Sequence, residues 1–241
     1  MKLNWVIENK DIVKVKKFYD QHKDNDVVSQ RTIRNLREQT PAFSKNAFWK
    51  SMISCLLTTQ QKSGPGKPVN NFINETPFPL DYDLCKQKKH LNIFVNKTLS
   101  IYGGIRRGNS IGNEASSNYE WLETSGWPIV RKLYKELSGA DSKQKEREAA
   151  NVIIDNMKGF GPKQSRNLLQ DLGLTKYEIP VDSRITKWLN DFGFPIKLTA
   201  TALSDRNYYN FVLDGFQELC ERCDIYPCLM DAAIFSSFDK K

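Results

Sequence analysis

The sequence has no apolar run near the roughly 18 residues that a membrane-spanning helix needs, so it does not read as an integral helical membrane protein. Its opening residues, MKLNWVIENKDIV, turn charged at Glu8, too early for the apolar core of a secretory signal. Five cysteines, an odd number in 241 residues, do not form the pattern of a secreted disulfide framework. The expectation is a cytoplasmic protein. Alternating apolar and polar positions, the mark of half-buried strands, are almost missing, which makes the expected class all-α. Internal repeats and low-complexity tracts are missing too. The stretch KSGPGKPVNN (62–71) reads as a loop; its Gly-Lys pair lacks the Gly-x-x-x-x-Gly-Lys-Ser/Thr spacing of a phosphate-binding P-loop.

What is present is basic and helical. Thirty-six Lys and Arg against 28 Asp and Glu give a net charge of +8, which suits a polyanion, nucleic acid before a membrane surface. Phe48, Met52, Cys55 and Leu56 share one helical face behind a Ser44 cap, and Leu91, Phe94, Val95 and Tyr102 repeat the pattern. Ala149, Ile153 and Met157 line a helix that runs into glycines. Ser165, Leu168, Leu169 and Leu172 line the next, which Gly173 is placed to stop. Ile185, Leu189 and Phe192 mark a short helix from Asp182, and Tyr208, Val212, Phe216 and Leu219 a longer one. ELSGADSKQKERE (136–148) reads as a polar linker leading into a helix start. YGGIRRGNSIGNEASSN (102–118) reads as a Gly-rich solvated loop, with a DNA-backbone contact through Arg106 and Arg107 as the alternative.

The stretch NMKGFGPKQSRNLL (156–169) carries the most chemistry. Gly159-Phe160-Gly161 joins two helices in a tight turn whose glycines permit φ > 0 and leave backbone N–H groups uncovered. Pro162 suits the first position of the following helix, where its missing N–H would be orphaned anyway. Such a turn can hold one phosphate without reading a base, although a plain helix connection also uses glycine. Lys163 sits in the first turn, where the helix dipole disfavours a cation and so favours a nucleophilic amine. Nineteen residues on, Asp182 in IPVDSRI reads as a helix N-cap, a role compatible with a catalytic carboxylate held in one direction.

Lys158-Gly159-Phe160-Gly161-Pro162-Lys163 followed by Val181-Asp182-Ser183-Arg184 resembles the helix-hairpin-helix DNA glycosylases. CLLTTQQKS (55–63) is similar to their Leu-Leu-x-x-Gln segment, whose glutamine fills the gap left by a flipped nucleotide. Gln60 matches that position, with Gln61 as the neighbouring alternative. Lys158, where many members have proline, makes the hairpin most like the archaeal-type 8-oxoguanine DNA glycosylases. The resemblance implies two helical domains with a DNA-binding cleft between them. One would be a bundle over 41–165 ending in the hairpin; the other would combine 1–40 with 166–241. It further implies a monomer that binds double-stranded DNA at a damaged base, with no membrane partner. Lys163 would be the Schiff-base nucleophile and Asp182 the stabilising carboxylate, with Gly159, Phe160, Gly161, Gln60, Gln61, Arg106 and Arg107 on the DNA.

The same resemblance bears on cofactors. Cys220, Cys223 and Cys228 give C-x₂-C-x₄-C, but the first ligand of the family's four-cysteine loop would fall on Leu213 and the last gap is one residue short. Three thiolates do not close an iron–sulfur site, so no cluster is expected. Zinc through Cys55 or Cys85 is the alternative to thiols that simply pack between helices. No metal or redox cofactor is expected, although hairpin carbonyls in this family can hold a monovalent cation. Two rival readings stay open: a non-enzymatic helix-hairpin-helix DNA-binding module, and a glycosylase for oxidised pyrimidines. Phe235 and Phe238 could stack on a base or pack in the core, and Lys240 and Lys241 could be a frayed tail or a basic contact.

Overall fold

The computed structural model describes residues 4–37, 41–139 and 141–238. Among these residues every regular element is helical and no strand forms. None of the helices is long and apolar enough to cross a membrane. Lys240 and Lys241 lie outside the described residues.

The chain divides into two compact units. The first contains 1–40, 137–150 and 161–241; the second contains 41–136 and 151–160. Both chain ends therefore share a unit, but the boundary expected at 165/166 falls at 160/161, and 137–150 joins the chain ends. A set of polar bonds ties segment 137–150 to the rest of the first unit. Glu146 accepts hydrogen bonds from the N–H groups of Lys176 (2.9 Å), Tyr177 (2.8 Å) and Glu178 (2.8 Å), and Arg147 pairs with Glu178 at 2.8 Å.

The second unit begins with α3 (Lys45–Leu57), following α1 (Asn9–Asp20) and α2 (Asp26–Asn35) of the first. The hydroxyl of Ser44 accepts from Ala47 N (3.3 Å), the N-cap expected from the sequence. Short helices α4 (Pro68–Ile73) and α5 (Tyr82–Lys86) follow, so the end of the stretch 62–71 is helical rather than loop, Pro68 opening α4 at a position where its missing N–H is harmless. Helix α6 (Leu91–Tyr102) then packs on α7 (Gly108–Trp121). The supposed solvated loop 102–118 is thus a helix over most of its length. Its glycines serve close packing: a Cβ on Gly112 would lie 2.5 Å from the carbonyl oxygen of Asn92 on α6. Helix α7 continues through a π-helical turn, Leu122–Gly126, into α8 (Trp127–Leu137).

Helix α9 (Lys143–Asn156) carries the chain from one unit to the other, ahead of the hairpin. The first unit resumes with α10 (Pro162–Asp171), α11 (Ser183–Phe192), α12 (Arg206–Arg222) and α13 (Pro227–Ser237). Gly173 (φ +72°) follows α10 and Gly193 (φ +107°) closes α11, the left-handed conformations that glycine accepts without strain. Helix α13 packs on α2, α11 and α12. Tyr209, Val212, Leu213, Phe216 and Leu219 form the buried face of α12, joined by Val15, Ile185, Leu189 and Ile234. Each large apolar side chain buried there contributes about 1.5–3 kcal/mol relative to exposure.

Candidate active site

The hairpin is held before it turns. Asn118, wholly buried on α7, grips both main-chain groups of Lys158: its Nδ2 donates to Lys158 O (3.0 Å) and its Oδ1 accepts from Lys158 N (2.7 Å). Gly159 follows at φ +81°, with its Cα against Leu56 and Glu114, so a Cβ would lie 2.7 Å from Leu56 Cδ2 and 2.9 Å from Glu114 Cδ. Here glycine is required twice, by conformation and by space. Phe160 is buried, so its ring anchors the turn. Gly161 is extended at φ −98°, and a Cβ there would meet nothing within 4 Å. Its bare Cα therefore faces open space.

Pro162 opens α10 without any side-chain cap, and Lys163 follows it, half-buried, in the first turn. Asp182 is the N-cap of α11, as its sequence context predicts: Oδ1 accepts from Arg184 N (2.8 Å) and Ile185 N (3.2 Å). Its Oδ2 lies 3.6 Å from Arg184 Nε, and the same guanidinium covers the ring of Phe235 at 3.8 Å. One face of Phe235 is thereby taken, while Phe238 at the end of α13 is exposed rather than packed in the core. Asp231 lies near enough for the charge of Asp182 to act on it; burial raises its carboxyl above the usual range, while Arg31 at 2.8 Å opposes the shift.

A second group lies in the other unit. Gln60 is exposed and left-handed at φ +58°, a conformation that costs a residue with a Cβ about 1–2 kcal/mol. Gln61 is a strut: its Oε1 accepts from Arg106 N (2.9 Å) and its Nε2 donates to Leu57 O (2.5 Å). Gln60 is thus the exposed member of the pair and Gln61 the engaged one. Arg106 donates through Nη2 to Gln60 O (2.5 Å), and Arg107, itself at φ +67°, pairs with Glu114 at 3.0 Å. Both arginines read as phosphate contacts from the sequence are engaged by protein acceptors. Burial raises the Glu114 carboxyl against the lowering by Arg107, and its Oε2 has no hydrogen-bond partner among the described residues.

No protein-family model matches the chain. A curated relative, the 8-oxoguanine DNA glycosylase/AP lyase of Thermoplasma volcanium, is 28% identical over 106 residues, covering 44% of this chain and 48% of the relative. The matched segment thus spans about half the length of that relative. The solved 8-oxoguanine DNA glycosylase of Methanocaldococcus jannaschii matches with a TM-score of 0.68 at 15% identity, covering 97% of each chain. Its complex with DNA containing 8-oxoguanine matches at 0.71 and 15% identity, over 95% of this chain and 98% of that one. The enzyme of Thermotoga maritima matches at 0.70 and 13% identity, over 95% and 98%. The chain has the fold of the 8-oxoguanine DNA glycosylases.

Within this glycosylase fold, Cys220, Cys223 and Cys228 are buried at the apolar core of the first unit, together with Leu213. Burial pushes the Cys228 thiol up to about 12 and raises that of Cys220 as well, which favours the protonated form. Among the described residues no group of His, Cys, Asp or Glu is arranged to hold a metal ion. Sequence reasoning missed Asn118, Glu114, Arg166 and Glu178. Each is a buried or half-buried polar residue, and Asn118, Arg166 and Glu178 are held by partners distant in the chain.

Proposed function

We propose that this chain removes 8-oxoguanine from double-stranded DNA and then nicks the strand, as a DNA glycosylase with AP lyase activity. The observation that carries the proposal is the hairpin with its half-buried lysine, in a chain with the 8-oxoguanine glycosylase fold. The open Cα of Gly161 lets a phosphate approach the uncapped N-terminus of α10, which favours an anion. A phosphate bound there brings the neighbouring nucleotide to Lys163. The target base leaves the duplex, because no amine reaches its sugar inside the stack. Gln60 fills the space it vacates.

The neutral amine of Lys163 attacks C1′. A nitrogen–carbon bond forms, the glycosidic bond breaks, and the departing base takes up a proton. Asp182, its direction fixed by the two N–H groups of α11, stabilises the positive charge developing on the sugar. Loss of the amine proton and opening of the sugar ring give a Schiff base. Removal of a C2′ proton then expels the 3′ phosphate by β-elimination. No metal or redox group enters these steps.

Borohydride added during turnover reduces a Schiff base to a stable amine and should join the protein covalently to an 8-oxoguanine strand. Lys163→Gln should abolish the adduct and retain duplex binding. In a panel of single-lesion duplexes, 8-oxoguanine should be released faster than thymine glycol or uracil. Absence of an adduct from the wild-type protein on every lesion would leave only a DNA-binding module, and preference for thymine glycol would move the substrate to oxidised pyrimidines.

A further inference from the structure

Arg166 is fully buried three residues after Lys163, and its guanidinium is directed three ways. Nε donates to Glu178 Oε2 (2.6 Å), Nη1 to the carbonyl of Pro162 (3.0 Å) and Nη2 to Asn210 Oδ1 (2.9 Å). Beneath it, 4.7 Å from Cζ, lies the ring of Tyr209. The Tyr209 hydroxyl accepts from Val181 N (2.6 Å) and donates to Ile179 O (2.9 Å). Glu178 is fully buried as well, its Oε1 accepting from Arg147 Nη2 (2.8 Å) and Gln217 Nε2 (3.0 Å).

These bonds form one continuous frame inside the first unit. At one end is the carbonyl of Pro162, next to Lys163; at the other is Val181, next to Asp182. A buried ion pair is a poor device for stability, because apolar side chains of similar volume often do as well. Its directed bonds instead fix geometry, and a nucleophile displaced by about 1 Å can lose about 100-fold in rate. We infer that Arg166, Glu178 and Tyr209 are positioning residues that fix Lys163 and Asp182 in the arrangement needed for attack at C1′. This inference rests on the glycosylase reading above. None of the three residues touches the substrate.

The test compares wild-type protein with Tyr209→Phe and with the double variant Arg166→Met/Glu178→Met, which removes both charges and leaves neither ion unpaired. Three readouts are taken: duplex affinity, single-turnover release of 8-oxoguanine at saturating protein, and amide hydrogen exchange of the free protein over 162–168 and 179–185. Duplex affinity should stay within about threefold while base release falls, by about 100-fold in the double variant and about tenfold in Tyr209→Phe. Exchange should accelerate in both segments together. A folded variant that releases base at the wild-type rate overturns the inference, as does exchange that rises in one segment alone or a rate that falls only in step with affinity. Should the double variant fail to fold, Tyr209→Phe, which loses a single hydroxyl, carries the decision. A wild-type protein without activity would refute the glycosylase reading separately, and the exchange data would still judge the frame.

Discussion

The Arg166–Glu178 frame and the Gln60–Arg107 group solve opposite problems with similar residues. In the frame both charges are fully buried and the carboxylate is matched by donors from several segments. In the Gln60–Arg107 group the charges are partly solvated, one carboxylate oxygen of Glu114 has no partner among the described residues, and two residues with a Cβ are left-handed. The first arrangement resists movement. The second stores backbone strain at an exposed segment, where a ligand can reach it. The comparison teaches that the placement of a charge, rather than its identity, decides whether it fixes the chain or leaves it free to engage something else.

Single substitutions should separate the two groups most clearly. Arg166→Met strips the buried Glu178 of its 2.6 Å partner and should lower unfolding free energy by about 3–5 kcal/mol. Arg107→Met breaks a pair still open to water and should cost about 1 kcal/mol or less. Urea denaturation of both variants measures this, and equal losses would erase the distinction. A pH series sharpens it next. Burial pushes the Glu146 carboxyl up to about 7 from 4.5, although three N–H groups at its oxygens oppose the shift. The folded state then holds a proton that the unfolded state has released. The contribution is full below about pH 4.5 and is lost as pH rises to about 7, roughly 3 kcal/mol in all. The stability gap between wild-type protein and Glu146→Gln should therefore narrow from pH 5 to pH 7.5; a constant gap would mean that the carboxyl is ionised throughout. The smallest effects concern two neighbours. Gln60→Gly should stabilise by about 1 kcal/mol by relieving its left-handed backbone and should slow base release, whereas Gln61→Ala should destabilise by about 1 kcal/mol through its lost hydrogen bonds. Thermal melts and excision assays would show whether the two glutamines divide the roles in this way.

Local chemistry made much of this legible in the sequence. The Ser44 and Asp182 caps, Pro162 at a helix start and Gly173 after a helix end act within a turn of themselves, so neighbouring residues suffice to read them. Where the partner is distant, the reading fails. Gln164, Arg166 and Gln170 look like a solvated face of α10, yet all are buried, because their surroundings come from other parts of the chain. The glycines of α7 suggested a loop, since nothing local says that the Asn92 carbonyl stands where a Cβ would be. The match of Gln60 to the family segment left its identical neighbour Gln61 as an alternative, and the turn after α3 leaves Gln60 exposed while Gln61 bonds to the protein.

The π-helical turn Leu122–Gly126 amounts to one surplus residue absorbed inside a continuous helix. Each residue of an α-helix advances the side-chain direction by about 100°, so the surplus resets the phase of α8 relative to α7. With that phase, Trp127 Nε1 reaches Glu123 (2.5 Å) and its ring meets Phe48 and Tyr82 at 5.8 and 5.6 Å. Deleting a residue there would leave a more regular helix with every later side chain aimed at the wrong neighbour. Helical regularity is therefore the wrong criterion for idealising this segment: its defect carries the alignment.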